Sequence, residues 1–142
     1  MPLYTVMTQT GVLSAEAKAR LAEDLTAFHS DYSGVPRLWV HIVFQDYAPG
    51  SGFSAGKVAP AAALTLLIRT GRTVEYKRGL IKRLWELFQA ATGSPDDQIV
   101  IGINEVPGED MHLIAPLRVG RGYRLGMAYS VTDLRVLKNY AG

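Results

Sequence analysis

The chain reads as an α+β domain in which two tandem β-α-β units form a four-stranded mixed sheet with both helices on one face. Two observations predict this. An internal repeat of roughly 60 residues runs the same signals twice, over about residues 2–49 and 62–108. In each copy an apolar strand-like segment is followed by a helical stripe, a Gly-Pro stop and a second strand-like segment. The 142 residues, 48% hydrophobic and 20% charged, suit one globular domain, 1–142, with a substantial core.

The elements follow in order. Leu3–Gln9 predicts a strand that ends at Thr10-Gly11, and Leu64–Arg69 predicts its repeat, ending at Thr70-Gly71. A helix follows each. In the first, Ser14 suits the N-cap and Ala17, Leu21, Leu25, Phe28 and Tyr32 form the stripe. In the second, Thr73 is the cap and Tyr76, Leu80, Leu84, Leu87 and Ala91 form the stripe. Both helices meet the same punctuation, Ser33-Gly34-Val35-Pro36 and Thr92-Gly93-Ser94-Pro95, where glycine takes a left-handed cap and proline prevents continuation. New strands are expected over Leu38–Phe44 and Gln98–Ile103.

A right-handed crossover makes the two strands of each unit parallel, and placing the units side by side completes the sheet. The face away from the helices is then bare, which predicts self-association. Between the repeats, Tyr47–Lys57 is rich in glycine, serine and proline and reads as a loop with a short edge strand around Phe53. Residues 111–142 are expected to form a C-terminal arm, with an amphipathic finish at Leu134, Val136 and Leu137, that packs on the body or on a neighbouring subunit.

Composition excludes several functions. There is no cysteine, and three scattered histidines have no ligand spacing, so no metal is implied. A net charge of +2 and basic residues that do not alternate with aromatics argue against nucleic acid; small anions are the better match. The apolar run Val58–Ile68 is too short to cross a membrane and the N-terminus lacks the apolar core of a signal peptide, so a cytoplasmic location is expected.

Four residues carry the candidate chemistry. Methionine is normally trimmed before proline, so Pro2 would present a free secondary amine, a base or nucleophile whose ordinary relatives titrate near ~8. The alternative is an unremarkable second residue. Arg69 and Arg72 bracket a Thr-Gly turn and could grip a planar carboxylate through bidentate hydrogen bonds, or stand as solvated surface charges. His29, one position off the first helical stripe, could donate to a substrate carboxylate or carbonyl, although a structural histidine is the commoner case. His41 reads as a sheet-face residue. His112 follows the last repeat strand and is open to either role.

Together Met-Pro-Leu-Tyr, His29, the Arg69-Thr-Gly-Arg72 turn and Asn104-Glu105-Val106-Pro107 resemble the tautomerase superfamily, in particular its cis-3-chloroacrylic acid dehalogenase group, over about residues 2–113. The resemblance implies a homotrimer whose six β-α-β units surround a core. It also implies Pro2 as general acid or base, with Arg69 and Arg72 binding a substrate carboxylate and His29 assisting. Two residues depart from it. The tyrosine and glutamate that activate water in the dehalogenases correspond here to Gly102 and Leu113, with Glu109, Asp110 and His112 as possible substitutes in the loop.

The expected activity is therefore cofactor-independent proton transfer on small 2-oxo or unsaturated carboxylates, with at most weak hydratase or dehalogenase activity. The alternatives are a decarboxylase or lyase in which Pro2 forms an iminium, and a trimeric binding protein without chemistry.

Overall fold

A computed structural model describes residues 1–111 and the backbone of two strands beyond them, Ile114–Val119 and Gly122–Met127. The order is β1 (Leu3–Gln9), α1 (Ala15–Ser33), β2 (His41–Tyr47), β3 (Phe53–Ser54), β4 (Lys57–Val58), β5 (Ala62–Arg69), α2 (Val74–Thr92), β6 (Ile99–Val106), β7 (Ile114–Val119) and β8 (Gly122–Met127). The four long strands form one sheet in the order β2-β1-β5-β6. β1 runs parallel to β2 and β5 parallel to β6, while β1 and β5 are antiparallel. Two parallel units joined back to back give the mixed sheet expected from the repeat.

Local signals set the helices. Ser14 Oγ accepts from the N–H of Ala17 and Thr73 Oγ1 from that of Tyr76, each satisfying a donor that a first helical turn leaves free. Both helices end on a left-handed glycine, Gly34 at φ 74° and Gly93 at φ 64°, where a Cβ would be strained. Their buried rows run at four-residue intervals, Leu21, Leu25 and His29 on α1 and Leu80, Leu84 and Phe88 on α2. They meet the alternating inward residues Tyr4, Val6, Leu64, Leu66 and Ile68 of the sheet in one core.

Three expectations need correction. His29 is on the buried row of α1, not beside it, and Phe28 is the residue pushed to the edge. On α2, likewise, Phe88 is buried and Leu87 only partly so. In both helices the straight four-residue row, rather than a row stepping by three, is the one that lies over the sheet.

The second strands also start later than expected. Arg37–Trp39 and Asp96–Gln98 are single 3-10 turns, closed by hydrogen bonds back to Pro36 and Pro95, and β2 and β6 begin only after them. Trp39 is therefore not a sheet residue. It is buried with Val35 in a small separate cluster on which Met1 packs. Finally, the segment around Phe53 is a two-strand hairpin, β3 with β4, that pairs with itself rather than with the main sheet's edge.

The face of the sheet away from the helices carries Leu3, Met7, Val43 and Val100, all exposed, Val100 at 65%. β7 and β8 pair antiparallel. The expected amphipathic finish at Leu134, Val136 and Leu137 lies outside the described residues.

Candidate active site

The register between β1 and β5 brings the chain start to the arginine turn. Leu3 stands opposite Leu67 in this antiparallel pair, so stepping back two residues puts Met1 at the level of Arg69 and Pro2 at that of Ile68. Pro2 is fully buried, and its carbonyl accepts from the N–H of His41 at 3.1 Å, holding the start of β1 against β2. Beyond Arg69 the chain turns at once, with Gly71 at φ 102°, a conformation that a side-chain-bearing residue rarely adopts, and returns Arg72 to the same end of the sheet.

The electrostatics agree with this placement. Burial, then the charge of Arg69, then that of Arg72, lower the pKa of the Met1 α-amine below its ordinary value. His29 is 3% exposed, and burial, followed by the charges of the terminal amine and Arg72, lowers its pKa to about 4. Its ring is accordingly neutral at pH 7. The four residues expected to act together, Pro2, His29, Arg69 and Arg72, are thus gathered at one end of the domain.

Each arginine is held differently. Arg69 is half-buried and donates from Nη2 to the carbonyl of Met111 at 3.3 Å, with Gly108 packed beside its guanidinium. Its Nε is, among the described residues, the one buried side-chain nitrogen or oxygen with no hydrogen-bond partner. Arg72 is exposed, with its guanidinium carbon 5.2 Å from the centre of the Tyr76 ring. Tyr76 leans on Tyr32 with ring centres 4.9 Å apart, and the Tyr32 hydroxyl donates to the Tyr76 carbonyl at 3.0 Å.

A cavity of about 370 Å³ opens beside Pro2, lined by Met1, Leu3, His41, Leu67, Asp110 and Met111 as well. Of the loop candidates, Asp110 reaches this lining, while Glu109 is exposed and outside it. His112 and Leu113 lie outside the described residues. Gly102 stands opposite Thr65 on the uncovered face of the sheet, with open space where a side chain would begin. Glu105 is paired with Lys77 at 2.7 Å, tying β6 to α2. No group of three or more metal-ligating side chains occurs among the described residues.

The repeat makes one such site, not two. Strand for strand, Ala62 takes the place of Pro2, and Gln9 and Val12 take those of Arg69 and Arg72. Tyr4 and Trp39, which flank the chain start, were not legible as such in the sequence, whereas His41 is the sheet-face residue expected, at the start of β2 opposite Leu3. The period-two alternation that puts Tyr4 on the same side of β1 as Pro2 was available as a signal. Nothing local marks Trp39.

The comparisons decide the family. A model of the Tautomerase_3 family, described as "Putative oxalocrotonate tautomerase enzyme", matches residues 1–111. The chain belongs to this family. No curated protein matches it in sequence.

Among solved structures, N1, a member of the cis-3-chloroacrylic acid dehalogenase (cis-CaaD) family, is 27% identical with a TM-score of 0.76, the match covering 96% of this chain and 90% of that one. The Q0 fused 4-OT wild-type symmetric trimer is 28% identical with a TM-score of 0.72, covering 78% and 90%. Pt0534 inactivated by 2-oxo-3-pentynoate is 25% identical with a TM-score of 0.72, covering 78% and 90%. This tautomerase-family chain shares their β-α-β architecture, and among its described residues no helix is long and apolar enough to cross a membrane.

Proposed function

We propose that this family member is a cofactor-independent tautomerase that moves a proton next to the carbonyl of a small 2-oxo acid. The observation that carries this reading is the meeting of the chain start with Arg69, Arg72 and a neutral His29 at one end of the sheet. Removal of Met1 turns the Pro2 nitrogen from an amide into a secondary amine under the influence of the same two guanidinium groups. Desolvation and those charges favour its neutral form, which is the form that accepts a proton.

In the forward direction the Pro2 nitrogen takes a proton from the carbon next to the keto group. The electron pair of the broken C–H bond forms the enolate, whose charge spreads onto the keto oxygen. Arg69 and Arg72 hold the carboxylate and stabilise that charge, and the unpaired Nε of Arg69 is a donor available for it. Pro2 then returns the proton to the oxygen, giving the enol. The imidazole of His29, being neutral, assists as a hydrogen-bond donor rather than as a second cation.

Addition of water to an unsaturated acid is expected to be slow, because the position of the water-activating tyrosine is Gly102. Asp110 remains the loop residue that could serve as a base from the cavity lining. The bare sheet face and the trimeric relative support a homotrimer in which that face is covered.

Intact mass followed by a covalent probe tests the reading. 2-Oxo-3-pentynoate has an alkyne conjugated to its carbonyl. The Pro2 nitrogen would add to the far alkyne carbon while a proton is returned to the nearer one. A protein lacking Met1 that gains one probe mass at Pro2 and loses ketonisation of a 2-oxo acid enol supports the proposal. Retained Met1 in an active protein would overturn it.

A further inference from the structure

The proposed chemistry needs His29 to present a proton, and a neutral imidazole has only one, on either of two nitrogens. Which nitrogen bears it is decided by the partner of the other. Nδ1 of His29 is 2.6 Å from the hydroxyl of Tyr4, a contact between the buried core side of β1 and the buried row of α1. The two rings meet edge to face, at 84° with centres 5.6 Å apart, so the pair is packed as well as bonded.

Two arrangements fit that distance. In one, Nδ1–H donates to the Tyr4 oxygen. The Tyr4 hydroxyl proton then needs a second acceptor, and no described residue supplies one at this fully buried position. In the other, Tyr4 O–H donates to a bare Nδ1, which satisfies the hydroxyl and Nδ1. Only the Nε2–H is left unpaired, at an atom that is not among the fully enclosed ones lacking a partner in the described residues. A buried hydroxyl with no acceptor is costly, so the second arrangement prevails. Burial also pushes the Tyr4 phenol up, keeping its proton on oxygen. The imidazole proton is then on Nε2, for which no described residue serves as a partner.

We propose that Tyr4 is a positioning residue, whose hydroxyl donates to Nδ1 of His29 and so holds the ring as the Nε2–H tautomer, leaving that proton to be donated to the substrate. The inference rests on the tautomerase reading for its catalytic consequence, while the tautomer itself is a property of the resting protein. Tyr4 is placed for this by alternation. It shares the side of β1 that carries Pro2, so one strand supplies both the amine and the group that orients the imidazole beside it.

Long-range proton–nitrogen correlation spectra of protein labelled with nitrogen-15 histidine, at pH 7, read the tautomer directly. The expected pattern for His29 in the parent protein is protonated Nε2 and bare Nδ1; protonated Nδ1 overturns the proposal whether or not any substrate is turned over. Tyr4→Phe should give a mixed tautomer signal and a kcat/KM for a 2-oxo acid enol lower by roughly 2- to 10-fold. The acid limb of its pH profile should move to higher pH, because a bond that favours the neutral ring has been lost.

An unchanged tautomer and unchanged profile in Tyr4→Phe would overturn the assignment. Should that variant fail to fold, His29→Gln and His29→Asn decide. Gln can offer its amide nitrogen near the Nε2 position and should retain more activity than Asn, whose shorter amide falls near Nδ1. Equal activities, or the reverse order, would overturn it.

Discussion

Acidification should unfold this protein partly through His29. The ring is buried on the sheet side of α1, and burial, the terminal amine and Arg72 hold its pKa at about 4 against 6.5 in the unfolded chain. Above pH 6.5 the ring is neutral in both states and adds no pH dependence. Between 6.5 and about 4 the unfolded chain takes up a proton that the folded one refuses, so stability falls as pH falls. Below about 4 both states are protonated and the loss is complete. The gap between the two values, at about 1.36 kcal/mol per pH unit, amounts to about 3 kcal/mol. That is a large share of an ordinary domain's stability of about 5–15 kcal/mol.

Urea denaturation at pH 7 and pH 4.5, at one protein concentration, measures the loss. His29→Gln removes the titrating ring, so its stability should fall less over the same interval, by up to about 2–3 kcal/mol. A carbon-13 titration of His29 in the folded protein gives an independent reading. A midpoint near 6.5, or equal pH slopes for the parent and His29→Gln, would refute the account of a desolvated ring beside two cations.

Pro2→Ala should abolish most turnover, measured as kcat for a 2-oxo acid enol, while urea denaturation still shows a cooperative transition, weakened by about 0.5–3 kcal/mol for the trimmed buried side chain. Arg69→Ala and Arg72→Ala should each lower kcat/KM roughly 10- to 150-fold, the value of a lost charge-assisted hydrogen bond of about 1.5–3 kcal/mol, and steady-state kinetics on carboxylate substrates checks it. Tyr76→Leu removes the ring under Arg72 and should raise KM roughly 2- to 5-fold, with Tyr76→Phe near the parent, since a partly exposed cation–π contact is worth about 0.5–1 kcal/mol. Val100→Glu places a charge on the bare sheet face and should reduce the mass measured by light scattering from trimer to monomer; on a free monomer surface it would change little.

The repeat, caps and apolar alternation made the fold legible because each depends on residues a few positions apart. Ser14 and Thr73 bond to amides three residues on, and Gly34 and Gly93 end their helices, whatever the rest of the chain does. The same locality misplaced Leu38–Trp39, where strand-forming residues are drawn into a turn after Pro36 and the indole is buried under the chain start. Periodicity also placed His29 off its row, because a stripe stepping by three or by four is decided only by what the helix packs against.

By itself, then, the sequence determined two β-α-β units and their order, and singled out Pro2, His29, Arg69 and Arg72 as candidates for the proposed proton transfer. Only the tertiary structure brought these residues to one end of the sheet. The antiparallel register between β1 and β5 sets Met1 level with Arg69 across more than sixty residues of chain, and no local rule encodes such a pairing. It likewise decided that Tyr4, not a ligand or solvent, meets Nδ1 of His29. The physical reason is that side-chain periodicity is a short-range property of the backbone. The partners of a buried polar group are set by long-range packing, and by the cost of leaving any of its hydrogen bonds unmade.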